Sequence, residues 1–180
     1  FGDLEGKNEQ DLIKISEITN LIIVQIIQFK NSRVSLNEIK IDKLNMSSKV
    51  LSVSNNNNTR IIWSGPSNWL IVSSNKEILN EIHEKFDANN FAVTDLSHSK
   101  AIIEIEGNQA KEVLKKGCPY NFNELIKDNS LNSVYHGISI TVDMLNDQPD
   151  KFRIYALRSF GESLYHSITD ASLEFGYLGK

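Results

Sequence analysis

The sequence predicts an α+β fold in which helices cover antiparallel sheets, and three observations carry that prediction. Short runs with period-two alternation, such as Ile103 and Ile105 against Glu104 and Glu106, outnumber helical runs. Turn chemistry separates these runs at close intervals, so neighbouring strands are joined by tight connections. Three times a strand leads into an amphipathic helix: 60–73 into 75–86, 100–106 into 109–116, and 152–157 into 160–175.

Taken in order, residues 1–11 are polar and glycine-containing and read as a loose leader, with 12–180 as a single compact domain. Residues 21–29 are rich in β-branched side chains and read as a buried strand. Ser35-Leu36-Asn37-Glu38 has capping-box spacing, against which Ile39 and Ile41 alternate like a strand. Strands at 50–54 and 60–63 flank Asn55-Asn56-Asn57-Asn58, a solvated hairpin tip, because asparagine tolerates positive φ. Ser64-Gly65-Pro66 breaks the chain before a strand that begins at Trp69. Ser74-Asn75-Lys76-Glu77 is a second capping box, followed by Ile78, Leu79, Ile82 and Phe86 on one helical face.

Residues 91–95 and 100–106 read as strands. In the helix over 109–116, Ala110, Val113 and Leu114 point inward, Lys115 and Lys116 oppose the macrodipole, Gly117 supplies a left-handed cap and Pro119 prevents continuation. Strands over 134–142 and 152–157 enclose a turn at 146–150. Ser159-Phe160-Gly161-Glu162 is a third capping box; Phe160, Leu164, Ile168, Ala171 and Phe175 then repeat at helical spacing up to Gly176.

Composition narrows the function classes. A chain of 180 residues with 40% hydrophobic residues buries enough surface to fold without covalent staples. Net charge is -4 and no basic stripe is visible, which disfavours nucleic acid. The most apolar run, 21–27, is far short of the roughly 20 residues of a membrane span. The first residues are acidic and lack the apolar region of a signal peptide. The single cysteine, Cys118, has no partner for an internal disulfide, which fits a reducing compartment.

Little in the chain has the pattern of catalytic chemistry. Asp95-Leu96-Ser97-His98-Ser99 contains the residue types of a hydrolytic triad, but neighbours in an extended segment point to opposite faces, with Ser97 and Ser99 on one side and His98 on the other. Asp and Ser side chains satisfying backbone groups at a bend are the better reading, with an interfacial role for His98 between the two. Cys118 follows a helix C-terminus, where a thiolate is not favoured, and reads as a packed thiol. The four histidines lack metal-ligand spacing, and Gly65 and Gly107 belong to no phosphate-binding loop. Arg158 can bind a carboxylate or anchor a partner chain, and Trp63 and Trp69 read as hairpin packing or an interface. No catalytic, cofactor-binding or metal-ligating residue is assigned.

Several segments together resemble the gamma subunit of heterotetrameric sarcosine oxidase. They are Arg60-Ile61-Ile62-Trp63-Ser64-Gly65-Pro66-Ser67-Asn68-Trp69-Leu70, Asp95-Leu96-Ser97-His98-Ser99, Lys116-Gly117-Cys118-Pro119, Arg158-Ser159-Phe160 and 171–176, within a match over about 24–176. The resemblance extends more distantly to the glycine-cleavage aminomethyltransferase (T-protein) family, through Asp95-Leu96-Ser97-His98 and the helix start from Gly107 to Ala110. It implies an aminomethyltransferase-like fold of two ferredoxin-like modules, and a noncatalytic structural subunit in a cytoplasmic heterotetramer. The implied partners are alpha, beta and delta subunits carrying FAD, FMN, NAD, tetrahydrofolate and zinc. The assembly would oxidatively demethylate sarcosine to glycine, with hydrogen peroxide and a one-carbon unit as products. In the T-protein family a Gly-Gly-x-x-Asp-Asp segment brings a carboxylate to folate; its counterpart here, His136-Gly137-Ile138-Ser139-Ile140-Thr141, lacks both acids. A related iron–sulfur maintenance group carries Lys-Gly-Cys-aromatic-x-Gly-Gln-Glu, which this chain abandons after Cys118. The alternatives are the equivalent subunit of another N-methyl amino acid oxidoreductase, such as N-methylglutamate dehydrogenase, and a small folate-dependent aminomethyltransferase.

Overall fold

The computed structural model describes Gly2 and residues 8–179. In chain order the strands are β1 (Ile13–Glu17), β2 (Ile22–Gln28), β3 (Lys40–Ile41), β4 (Leu44–Asn45), β5 (Val53–Asn55), β6 (Thr59–Gly65), β7 (Asn68–Ser73), β8 (Phe91–Asp95), β9 (Lys100–Glu106), β10 (Ser130–Tyr135), β11 (Ile138–Asp147), β12 (Asp150–Leu157) and β13 (Tyr177–Gly179). The α-helices are α1 (Ile78–Lys85), α2 (Ala110–Gly117) and α3 (Gly161–Ser172). The fold is α+β, with antiparallel sheets and few helices, and it separates into two compact units. One comprises 20–98; the other joins 1–19 to 99–180. Most of the leader read over 1–11 lies outside the described residues; Glu9–Asp11 forms a single 3-10 turn.

In the 20–98 unit a five-stranded antiparallel sheet runs β5-β6-β7-β2-β8. Its Val24, Ile26, Ile61, Trp69 and Ile71 share a core with Ile78, Ile82 and Phe86 from α1 and the end of that helix. The β5–β6 hairpin closes at the asparagine tip, where Asn56 Oδ1 accepts the N–H groups of Asn58 and Thr59, although none of the four asparagines takes the positive φ on which the reading rested. The capping box read at Ser74 does not form. Ser74 Oγ donates to the Asn58 carbonyl, and Asn75 Oδ1 accepts the Glu77 N–H instead. The box read at Ser35 yields only a 3-10 turn, Leu36–Glu38, without a side-chain cap, and the alternation at Ile39 and Ile41 resolves into β3.

In the second unit a six-stranded sheet runs β10-β11-β12-β9-β1-β13, antiparallel except where β13 pairs with β1. Alternation divides its side chains. The row Leu131–Val142–Ile154–Ile103 is buried. Ala101, in register with Ala156 on the same face, approaches α3 so closely that a Cβ added at Gly161 would lie 2.8 Å from its own. On α2, Ala110, Val113 and Leu114 are buried, as their spacing predicts.

Four local expectations change in this unit. The strand read over 134–142 is two strands: His136 and Gly137 both take positive φ, 46° and 85°, and turn β10 into β11. Histidine is an unusual residue for such a turn, which hid it. Gly117 is not a left-handed cap but the last residue of α2. It is small for a different reason: a Cβ there would lie 2.7 Å from the Tyr135 ring. The capping box at Ser159 is replaced by a 3-10 turn, Arg158–Phe160, with no side-chain cap. α3 ends at Ser172, short of the Gly176 stop read from the sequence; Gly176, with φ 75°, closes the turn that follows, its N–H donating to the Ser172 carbonyl.

Candidate functional site

The sequence singles out 95–99, and the structure makes it the end of a strand followed by a turn over 97–99 rather than one extended segment. Asp95 ends β8. Its Oδ1 accepts both the Ser97 N–H at 2.9 Å and the Ser97 hydroxyl at 2.6 Å. Ser97 Oγ in turn accepts the Ile23 N–H at 3.0 Å, while the Leu96 N–H donates to the Ile23 carbonyl. Ser97 therefore spends its one proton on Asp95 and a lone pair on the backbone at the start of β2. In a Ser-His-Asp triad that proton faces an imidazole; here a carboxylate holds it directly. His98 is exposed within the turn. Ser99 begins the other unit, where its carbonyl accepts the Arg158 N–H at 2.9 Å.

Ser97 holds the Asp95 carboxyl below its ordinary value, chiefly through its hydroxyl and then its N–H; burial works weakly the other way and His98 adds a smaller lowering. A lowered folded pKa means that the stability this lock contributes is complete above the ordinary carboxylate pKa of about 4 and is lost as pH falls through the lower folded value. Ser97→Ala is expected to cost about 1–3 kcal/mol, because it leaves the Ile23 N–H without its acceptor. Asp95→Asn is expected to flatten the acid end of the stability profile. Urea unfolding followed from pH 7 down to pH 2 checks both.

The other singled-out residues lie in separate places. Trp69 is 1% exposed in the 20–98 core, its Nε1–H donating to the Ser47 carbonyl at 2.8 Å; Trp63, directly opposite on β6, is half-buried against the same core. Cys118 is buried, its thiol donating to Ser133 Oγ at 3.2 Å, and burial pushes its pKa up, away from thiolate chemistry. Arg158 stands on the 3-10 turn before α3, at a cleft of about 390 Å³ that also includes Glu17, Ala101, Ile103, Glu162 and Tyr165. At the positions matching the T-protein acids, Ile140 is buried in the sheet and the Thr141 hydroxyl donates to Asn132 Oδ1 at 2.7 Å. Among the described residues no group of three or more His, Cys, Asp or Glu is arranged to hold a metal, and no helix is long and apolar enough to cross a membrane.

One feature escaped sequence reasoning. On the sheet face opposite Ile103 and Ile154, the residues Ser130, Asp143, Arg153, Glu104 and Ser16 stand directly opposite one another across five strands. Ser130 and Asp143 are buried, at 1% and 0% exposure. Arg153 donates to Glu104 Oε2 through Nη2 at 3.0 Å and Nε at 3.3 Å, and Lys151 lies 2.7 Å from Glu104 Oε1 and 3.0 Å from Glu106 Oε2. The signal was present as charges alternating with apolar residues in 103–106 and 151–154; assembling them needs the strand order.

The fold of the two α+β units is aminomethyltransferase-like. The glycine cleavage system aminomethyltransferase T of Bartonella henselae superposes on it with a TM-score of 0.62 at 12% identity, covering 89% of this chain and 46% of that one. More specifically, the chain is similar to the sarcosine oxidase subunit gamma of Corynebacterium sp. (strain U-96), with 27% identity over 120 residues, a match spanning 65% of this chain and 58% of that protein. The solved heterotetrameric sarcosine oxidase from Corynebacterium sp. U-96, in complex with pyrrole 2-carboxylate, contains a chain that superposes with a TM-score of 0.82 at 20% identity, covering 94% of this chain and 88% of that one. No family model matches the sequence.

Proposed function

We propose that this chain is the gamma-type subunit of a heterotetrameric, cytoplasmic sarcosine oxidase, a noncatalytic scaffold over 12–180 whose alpha, beta and delta partners carry FAD, FMN, NAD, tetrahydrofolate and zinc. In this reading the assembly oxidises sarcosine with oxygen to glycine and hydrogen peroxide, and passes the one-carbon unit to tetrahydrofolate or releases it as formaldehyde. The observation that carries the reading is the coincidence of sequence likeness and fold likeness on the same subunit. The local chemistry agrees with it: Ser97 is committed to Asp95 and Ile23, and Cys118 is buried with a raised pKa. Asp95, Ser97, His98 and Ser99 then serve as a structural turn.

Co-expression with candidate sarcosine oxidase flavoprotein subunits from the same genome tests the reading. The expected result is a stable complex with sarcosine-dependent peroxide formation, and no turnover by the chain alone. A chain that fails to associate with those flavoproteins overturns it. Tight tetrahydrofolate binding by the isolated chain would favour an aminomethyltransferase, and preference for another N-methyl amino acid would assign the complex to a related oxidoreductase.

A further inference from the structure

We propose that the cleft beside the start of α3 is a docking site for a partner-subunit segment that presents a lysine or arginine; this rests on reading the chain as a subunit of an assembly. Ala101 and Ile103 contribute apolar surface to the cleft, and Glu17, Arg158, Glu162 and Tyr165 give it a polar lining. Two carboxylates against one guanidinium leave it net negative, complementary to a cation. A long basic side chain matches this surface, with its aliphatic stem along the apolar residues and its charged head at Glu17 and Glu162.

Exposed apolar surface beside the cleft favours an occupant larger than a small molecule. Phe160, at 47% exposure, stands between Arg158 and Gly161, which both line the cleft, without lining it itself. A small cation at Glu17 and Glu162 leaves it exposed. A polypeptide that inserts one basic side chain and lays an apolar neighbour on Phe160 covers it, giving a filled pocket flanked by a contact that excludes water. The same negative charge disfavours an anionic lipid surface or nucleic acid.

The test uses the full chain with tagged flavoprotein subunits of the assembly. Wild-type chain is expected to be retained. Glu17→Lys combined with Glu162→Lys is expected to lower the association constant at least about tenfold, the scale on which reversing a close interfacial charge pair acts, with an unchanged circular-dichroism melt. Equal retention of wild type and double variant overturns the docking site while leaving the subunit reading intact; no retention of wild type overturns both. A photo-cross-linking residue in place of Phe160, in an otherwise unaltered chain, supplies a readout independent of the charge variant's folding. Labelling of a partner peptide that contains lysine or arginine supports the site. Labelling of a second copy of this chain, or of a peptide without a basic residue, overturns it.

Discussion

Trp69→Ala is expected to destabilise the 20–98 unit by about 3–5 kcal/mol, the usual cost of removing a large aromatic side chain from a core. Trp69 is 1% exposed and sits on β7 directly opposite Ile26 on one side and Trp63 on the other, so truncation opens the middle of the sheet. It also removes the Nε1–H bond to the Ser47 carbonyl, which ties the connection between β4 and β5 to the core. Trp69→Phe separates the two contributions. It keeps most of the buried ring and loses the hydrogen bond, for an expected cost of about 1–2 kcal/mol. Trp63→Ala, at a half-buried position, is expected to fall below Trp69→Ala. Guanidinium unfolding followed by circular dichroism gives all three, and the order Trp69→Ala, then Trp69→Phe, is the check. If the two Trp69 variants cost the same, the hydrogen bond and not the packing dominates.

What the sequence made legible was local. The run 21–29 reads as a strand because its β-branched residues leave little alternative, and β2 fills Ile22–Gln28. Ala110, Val113 and Leu114 mark the buried side of α2 by spacing alone. Asp95 and Ser97 could be read as turn chemistry because both partners lie two residues apart. What stayed hidden depends on distant partners. β13 has three residues and exists because it pairs in parallel with β1, more than 160 positions earlier. The capping boxes had the right spacing, but spacing does not choose a partner: Ser74 found the Asn58 carbonyl. The cleft at Arg158 draws its lining from β1, β9 and α3, and no local pattern announces that meeting.

The polar row on the six-stranded sheet is the clearest of these nonlocal features, and it carries the second large prediction. Glu104→Ala is expected to destabilise the chain by about 3 kcal/mol, because it strands the charges left behind rather than because the intact pair contributes that much. The Glu104 and Arg153 side chains are only 12% and 18% exposed, so water replaces the lost carboxylate poorly. Burial alone would lower the pKa of Arg153; the Tyr155 and Glu104 side chains more than offset it. Lys151 is likewise raised, with Glu104 and Glu106 outweighing burial. A raised folded pKa means that the Lys151 contribution is complete below its ordinary value of about 10.4 and is lost as pH climbs through the higher folded value. Glu104→Ala is therefore expected to weaken that alkaline dependence, leaving Glu106 as the remaining partner at 3.0 Å. A double-mutant cycle separates stranding from contribution. Arg153→Met in the wild-type background leaves a carboxylate short of its partner, whereas Arg153→Met together with Glu104→Met removes both charges and restores apolar contact. The pair variant is expected to be more stable than either single variant, since replacing a buried ion pair by apolar side chains of similar volume is often neutral. Urea unfolding at pH 7 measures each corner of the cycle, and a series carried above about pH 10.4 follows the alkaline dependence in wild type and Glu104→Ala; costs that simply add would show that Arg153 and Glu104 act independently despite standing opposite each other in register.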